Sequence, residues 1–310
     1  MTRWVGIDEA GYGPNLGPLV MTAVTAESPD DREPDLWRDL AGRVSRVGGT
    51  EQALWVDDSK ALFTGRTGRT RLEDAALATI AATGRALPTS LSALFEAVGA
   101  GSLADVELDR WLSGECAWKA PPRSTYPDMS CDAWRLVDLR SVVIGPERFN
   151  AELSGAASKA VVHFGAFARL LRFHWETSGL DVATRIRGDK HGGRNFYAGP
   201  LSDALADSWV TPEVEGPDLS RYTIKGPGRA LAVEFRPKAD SHDGLVALAS
   251  IISKFLREVW MDEFNAFWLK HVPGLTPSAG YPVDAARFRK EIESAAKELG
   301  LPAELWWRRK

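Results

Sequence analysis

Val5–Pro18, VGIDEAGYGPNLGP, decides how the chain is read. Trp4, Val5 and Ile7 suit a buried strand, and the run stops on two adjacent carboxylates, Asp8 and Glu9. Gly11, Gly13 and Gly17 follow; glycine accepts positive φ and lets another backbone or a phosphate come close. Pro18 to Ala26 (PLVMTAVTA) is again rich in β-formers, so the turn is expected to join two neighbouring strands as a hairpin. On its own the stretch fits a strand ending in a solvated acidic turn as well as a strand end that carries chemistry.

A chain of 310 residues with 44% hydrophobic and 26% charged content has room for a substantial core, in one large domain or two ordinary ones. The net charge of −4 and the pI of about 5.8 exclude a global basic field, so any nucleic-acid binding must rest on local patches. Cys116 and Cys131 have neither CxxC spacing nor a histidine cluster nearby, which argues against structural zinc and for free thiols. The amino terminus meets acidic residues by position 8, and no run of 18 apolar residues occurs, so a soluble, cytoplasmic protein without membrane contact is expected, and a monomer.

Further along, Leu36, Trp37, Leu40 and Val44 have helical spacing over 33–46. Asp57-Asp58-Ser59-Lys60 then leads through a basic, glycine-containing loop to a helix from about Arg69 to Ala82. Ser59 and Lys60 fit a phosphate contact or a helix-capping turn with a solvated lysine. A helix near Ser90–Val98 precedes a stretch dense in Gly, Pro, Trp and Ser, expected as an insertion in which Trp111, Trp118 and Trp134 pack together rather than stack on bases. WRLVDLRSVVIG from Trp134 alternates as a strand, and one long helix is expected from Pro146 to about Trp175, its apolar positions including Phe149, Leu153, Val161, Phe164 and Phe167. Asp181–Asp189 is a strand that again ends on a carboxylate, followed by a basic turn with Lys190, His191 and Arg194. Residues 197–235 resemble a β-rich insertion or extended hairpin; a long helix from about Gly244 to Trp268, a last one over about Val283 to Leu299 and the tail ELWWRRK complete the chain.

Asp8 with Glu9, Asp189 and Asp240 thus stand at element boundaries. Hard oxygen donors suit Mg2+ or Mn2+ rather than zinc, and two such ions activate a water and stabilise the leaving oxygen in attack on a phosphodiester. Without metal, clustered carboxylates repel one another and one of them should hold its proton more tightly.

These residues carry a resemblance. GIDEAGYGPNLGPLVMTAV is similar to the ribonuclease HII signature, in which a strand ends in Asp-Glu and enters a Gly-Arg-Gly turn; DDSKAL resembles the family's Asp-Ser-Lys block. The helix with Phe149-Asn150 and Lys159 resembles its central helix, KADSHDGLVALASIISKFLRE its Lys-Gly-Asp segment running into Ala-Ser-Ile, and Gly280-Tyr281-Pro282 its Gly-Tyr-Pro. The resemblance implies an α/β, ribonuclease H-like fold: a central mixed five-stranded sheet flanked by helices, in a catalytic domain over 1–275 with insertions at about 100–133 and 197–232, and a helical segment over 276–310 packed on it. It implies Asp8, Glu9, Asp189 and Asp240 as ligands of two Mg2+ or Mn2+ ions. Gly11, Tyr12 and Gly13 would line a ribose 2′-hydroxyl, and Ser59 and Lys60 would take a phosphate. Lys190, Arg194, Ser250 and Lys254 would be further substrate contacts, with Tyr281 at a DNA–RNA junction. The activity implied is endonucleolytic cleavage of an RNA–DNA hybrid, or of duplex DNA on the 5′ side of an embedded ribonucleotide, leaving 3′-hydroxyl and 5′-phosphate ends.

Three positions depart from the family pattern: Tyr12 replaces an arginine, Lys190 a glycine, and Ala279 a lysine. They leave open a non-catalytic nucleic-acid-binding homologue and a two-metal nuclease for another nucleic-acid structure. Arg185, Arg187, Lys190 and Arg194, with Arg66, Arg69 and Arg71, either supply local positive surface or form solvated faces. The tail is expected to pack Trp306 and Trp307 and to leave a basic fringe.

Overall fold

A computed structural model describes residues 1–49, 52–123 and 125–309. Ser124 of the expected insertion and Lys310 of the tail lie outside the described residues. Strands β1 (Thr2–Ala10) and β2 (Leu19–Ser28) form the expected antiparallel hairpin. Then come α1 (Leu36–Asp39), the short parallel pair β3 (Val44–Ser45) and β4 (Leu54–Trp55), α2 (Ser59–Leu62), α3 (Gly68–Ala82) and α4 (Leu91–Ala97). The second half runs β5 (Arg135–Ile144), α5 (Pro146–Ser154), α6 (Lys159–Thr177), β6 (Ala183–Asp189), α7 (Ala198–Ala204), β7 (Trp209–Glu215), β8 (Ser220–Gly226), β9 (Arg229–Arg236), α8 (Gly244–His271) and α9 (Pro282–Glu298).

The main sheet has seven strands in the order β5-β2-β1-β6-β9-β8-β7, not five. The difference lies in the segment expected as an insertion at about 197–232. Tyr222, Ile224, Leu231, Val233 and Phe235 alternate inward and are buried, so β8 and β9 extend the sheet instead of standing off it as a separate hairpin. β9 pairs parallel with β6, and β6 parallel with β1, while the outer pairings are antiparallel.

Two helices sandwich the sheet at β1. Val5 and Ile7 face Phe164 and Phe167 of α6 within one apolar cluster. Trp4 and Gly6 face α8, whose approach is so close that a Cβ on Gly6 would stand 2.3 Å from the Leu245 carbonyl carbon. α8 is apolar around most of its circumference because it lies between the sheet on one side and α3, the 100–133 segment and α9 on the other. Trp111 packs edge-on against Trp260 and Phe264, Trp118 bonds Glu73 and Trp134 bonds Asp39, so these indoles are core, as expected.

Two helical expectations are corrected. The 33–46 segment is helical for a single turn and doubles back after Leu40, so that Val44 enters β3; Leu36, Leu40 and Val44 are all buried, and the spacing reported burial rather than a helix. The expected 146–175 helix is two, because Ser158 is extended (φ −167°) between α5 and α6, and Val161 beside the break is 46% exposed. Both cysteines are free thiols. Among the described residues no helix is long and apolar enough to cross a membrane.

Candidate functional site

β1, β6 and β9 are adjacent and parallel, so their carboxyl ends share one edge of the sheet. The β1–β6 register runs to Ile7–Gly188, which sets Asp8 and Glu9 beside Asp189. Asp189 is in turn opposite Arg236 on β9, and the chain then enters the 3-10 turn Ala239–Ser241 that carries Asp240. Residues some 50 to 230 positions apart in sequence are thereby gathered by strand order alone.

Successive residues of a strand point to opposite faces, which divides the acidic pair. Asp8 turns to the α8 side, where the Ser250 hydroxyl reaches its carboxyl and the Ser253 hydroxyl donates to its backbone carbonyl at 3.0 Å. Ser250 Oγ and Ser59 Oγ are hydrogen-bonded at 3.0 Å, so the buried serine of the Asp-Ser-Lys block is tied to the Asp8 carboxyl through α8. Glu9 turns to the α6 side, where His163 Nε2 lies 3.3 Å from Glu9 Oε1. Asp189 accepts the N–H of Lys190 at 2.8 Å and the N–H groups of Lys238 and Ala239; Lys238 takes a left-handed conformation (φ 54°) to present them.

Burial raises the Asp8 pKa well above the ordinary carboxylate range, and the nearby Glu9 and Asp240 push it further, against the Ser250 hydroxyl. Asp189 and Asp240 are also raised, each chiefly by burial; Glu9 adds to the first, and Asp58 and Asp189 to the second, while Lys60 opposes. Burial acts on Glu9 in the same sense, but the contact with His163 outweighs it and holds its pKa below the ordinary value. His191 is caged by His163, Phe164, Phe167, Tyr197 and Phe235, and burial drives its pKa down to about 3, so it stays neutral. That is a packing role.

The basic residues divide sharply. Lys190 Nζ is spent internally on Asn195 Oδ1 and Ser220 Oγ, both at 3.0 Å, and on the Gly216 carbonyl. Lys254 pairs with Glu258 at 2.6 Å, Arg69 with Asp262 at 2.7 Å and Arg185 with Asp31 at 3.6 Å; Arg187 is held by Glu33 and Asp243. Arg71 stacks on Trp55. Arg194 lies over Phe164 and Tyr197 near Tyr12, and Lys60, Arg66 and Lys238 are exposed; none of these four has a carboxylate partner among the described residues. Tyr12 stacks edge-on against His163 at 4.7 Å, with Lys159 Nζ 4.7 Å from the Tyr12 ring centre. Tyr281 is half exposed on the turn whose Gly280 carbonyl accepts the N–H groups of Asn15 and Leu16.

Gly11 and Gly13 differ. Gly11 has φ 89°, and a Cβ there would meet the Pro18 carbonyl oxygen at 2.3 Å. Gly13 is exposed and has no heavy atom within 4 Å of where a Cβ would stand, so its backbone is open to a ligand.

His163, beside Glu9, and Asp58, beside Asp240, are neighbours of the carboxylates that the sequence reading did not single out. His163 sits one helical turn beyond Lys159 on the face that meets Glu9, a spacing visible in the sequence once α6 is known to face β1. Among the described residues no three acidic, imidazole or thiol groups stand close enough together to hold an ion between them. The donor set still fits a hard divalent cation in its chemistry: Asp8, Asp189 and Asp240 are oxygen donors with raised pKa values and no ion-pair partner among the described residues.

Fold and site together define a mixed α/β protein with a carboxylate-bearing sheet edge. No protein-family model matches the chain, and no curated protein does. Among solved structures, the chain is similar to the PCNA:RNase HII complex from Archaeoglobus fulgidus at 16% identity and a TM-score of 0.42, covering 99% of this chain and 94% of that one. It is similar to ribonuclease H2 from Pyrococcus horikoshii OT3 at 15% and 0.43, covering 98% and 92%. Bst-RNase HIII in complex with Mn2+ matches at 14% and 0.41, covering 99% of this chain and 66% of that one. Likeness this distant assigns no residue a role.

Proposed function

We propose that this chain is a metal-dependent endonuclease of the ribonuclease H type, cutting duplex DNA on the 5′ side of an embedded ribonucleotide or the RNA strand of an RNA–DNA hybrid. The observation that carries this is the meeting of Asp8, Glu9, Asp189 and Asp240 at the carboxyl ends of three adjacent parallel strands, three of them with raised pKa and no cation partner among the described residues. These four residues would hold Mg2+ or Mn2+, which when bound supplies an activated water and neutralises charge at the leaving oxygen.

The chain's own groups do the rest. Ser250 and Ser59 orient the Asp8 carboxyl, and His163 orients Glu9. The open backbone at Gly13 can approach a ribose, while Lys60, Lys238 and Arg194 offer unpaired cations to phosphates despite the acidic net charge. Tyr12 and Tyr281 offer aromatic faces on either side of the glycine turn. Ser59 lies too deep for direct phosphate contact, and Lys190 and Lys254 are committed to internal partners, so substrate contact falls to Lys60 and Arg194.

The test is cleavage, with Mg2+ and with Mn2+, of a duplex holding one ribonucleotide, an RNA–DNA hybrid, plain duplex DNA and a branched junction. Metal-dependent cutting of either of the first two, lost in Asp8→Asn and Asp240→Asn, is expected. Cutting of the junction alone would select a nuclease for another structure; binding without cutting would select a non-catalytic homologue. Cleavage retained in Asp8→Asn overturns the assignment.

A further inference from the structure

Within the tail, Arg308 is buried and forms no part of a basic fringe. Arg308 is 1% exposed, and no carboxylate among the described residues pairs with it. Its guanidinium instead donates to the carbonyls of the glycine turn: Nη2 to Gly11 at 2.5 Å, Nη2 and Nε to Pro14, the latter at 3.1 Å, and a longer contact to Tyr12. The Arg308 N–H donates to the Asn15 carbonyl at 2.8 Å, and Asn15 Nδ2 returns a bond to the Arg308 carbonyl at 3.1 Å. Asn150 on α5 fixes the strap from the other side, donating to the carbonyls of Glu304 and Trp307 and accepting the N–H of Arg309.

A peptide carbonyl and the next residue's N–H point in opposite directions across a trans bond, and no cis peptide occurs among the described residues. Drawing the Gly11 and Tyr12 carbonyls inward to one guanidinium therefore turns the N–H groups of Tyr12 and Gly13 outward. Neither N–H has an acceptor among the described residues, and the space beside Gly13 is open. An unpartnered pair of backbone donors above a buried positive charge is a surface built for an oxygen acceptor such as a ribose hydroxyl or a phosphate.

We infer that Arg308 is a positioning residue of the substrate-reading turn: the tail, threaded behind residues 11–15, sets the outward donors that distinguish a ribonucleotide from a deoxyribonucleotide. This rests on the proposed endonuclease function. Position 12 of the turn is a tyrosine, and the cation comes from behind the turn, nearly 300 residues away in sequence.

The experiment measures binding of an Asp8→Asn protein, in Mn2+, to a duplex with one ribonucleotide and to the same duplex in all-DNA form. Adding Arg308→Lys keeps the charge but cannot span three carbonyls, and should cut the preference for the ribonucleotide duplex about tenfold with little change in all-DNA affinity. A merely structural role would lower the melting temperature and leave the ratio of affinities intact, and that result overturns the inference. Should Arg308→Lys fail to fold, Asn150→Ala, which releases the strap without touching the turn, decides in the same way. A starting protein with no ribonucleotide preference overturns the inference alone, as does a preference that survives both variants; the function it rests on falls only if the wild type cuts neither the ribonucleotide-containing duplex nor the hybrid.

Discussion

A methyl group placed at Gly11 and at Gly13 separates what the glycine turn needs in order to fold from what it offers a ligand. At Gly11, φ is 89°, which costs an L-residue about 1–2 kcal/mol. A Cβ there would also stand 2.3 Å from the Pro18 carbonyl oxygen and 2.9 Å from Arg257 Cδ and Nε, so backbone must move, at roughly 1–3 kcal/mol more. Unfolding entropy scales with length to about 0.65 kcal/mol per degree for 310 residues, so Gly11→Ala should lower the Tm by about 3–8 °C. At Gly13 nothing lies within 4 Å of the new methyl, and the change in stability should stay within about 0.5 kcal/mol, under about 1 °C. The Gly13 methyl would nevertheless occupy the space in front of the free Tyr12 and Gly13 N–H groups, and kcat/KM on a ribonucleotide-containing duplex should fall about tenfold or more. Thermal unfolding followed by circular dichroism, and cleavage of a labelled duplex, read the two effects separately. Equal melting of the two variants would refute the steric argument, and wild-type cleavage by Gly13→Ala would refute the turn as a contact surface.

Two further results are expected. Asp8 has a raised folded-state pKa, so as pH climbs past the ordinary carboxylate value of 3.8 the unfolded chain releases a proton that the folded protein still holds, and stability is lost until the folded group ionises too. Asp8→Asn should therefore raise the metal-free Tm at neutral pH while abolishing cleavage; Mn2+ at a hundred times its Kd should add about 2.7 kcal/mol to the wild type and much less to the variant, and a metal shift that Asp8→Asn leaves unchanged would count against Asp8 as a ligand. His174 is buried with no hydrogen-bond partner among the described residues, and burial, helped by Arg3 and Arg140, lowers its pKa to about 3. Below about pH 6.5 the unfolded chain gains a proton that the folded chain refuses, so stability should fall by up to about 1.4 kcal/mol per pH unit. His174→Phe should flatten that slope in urea titrations run between pH 4 and pH 7.

Much of the site was legible because strands and their ends announce themselves locally. The buried run of β1, the alternation of β5, the acidic residues where β1 and β6 stop, and the apolar α8 were all readable from side-chain type and period. The seven-stranded sheet was not, because RYTIK and LAVEF look the same whether they pair with each other alone or also with β6. Nor was the fate of each cation: Lys190 and Arg194 stand four residues apart on one turn, yet only Lys190 is swallowed by hydrogen bonds, since only its ammonium reaches the acceptors at Asn195, Gly216 and Ser220.

The sequence by itself determined which residues carry charge at the ends of buried strands, since that depends on period and composition within a few residues. Only the tertiary structure decided that β1, β6 and β9 lie side by side in parallel and so bring Asp8, Glu9, Asp189 and Asp240 to one edge. It alone turned Asp8 toward Ser250 and Glu9 toward His163, and drew Arg308 from the tail to lie behind Gly11. Those are contacts between segments that nothing local in the chain relates; they exist because burying the apolar faces of α6, α8 and the sheet leaves one arrangement in which the polar groups between them find partners.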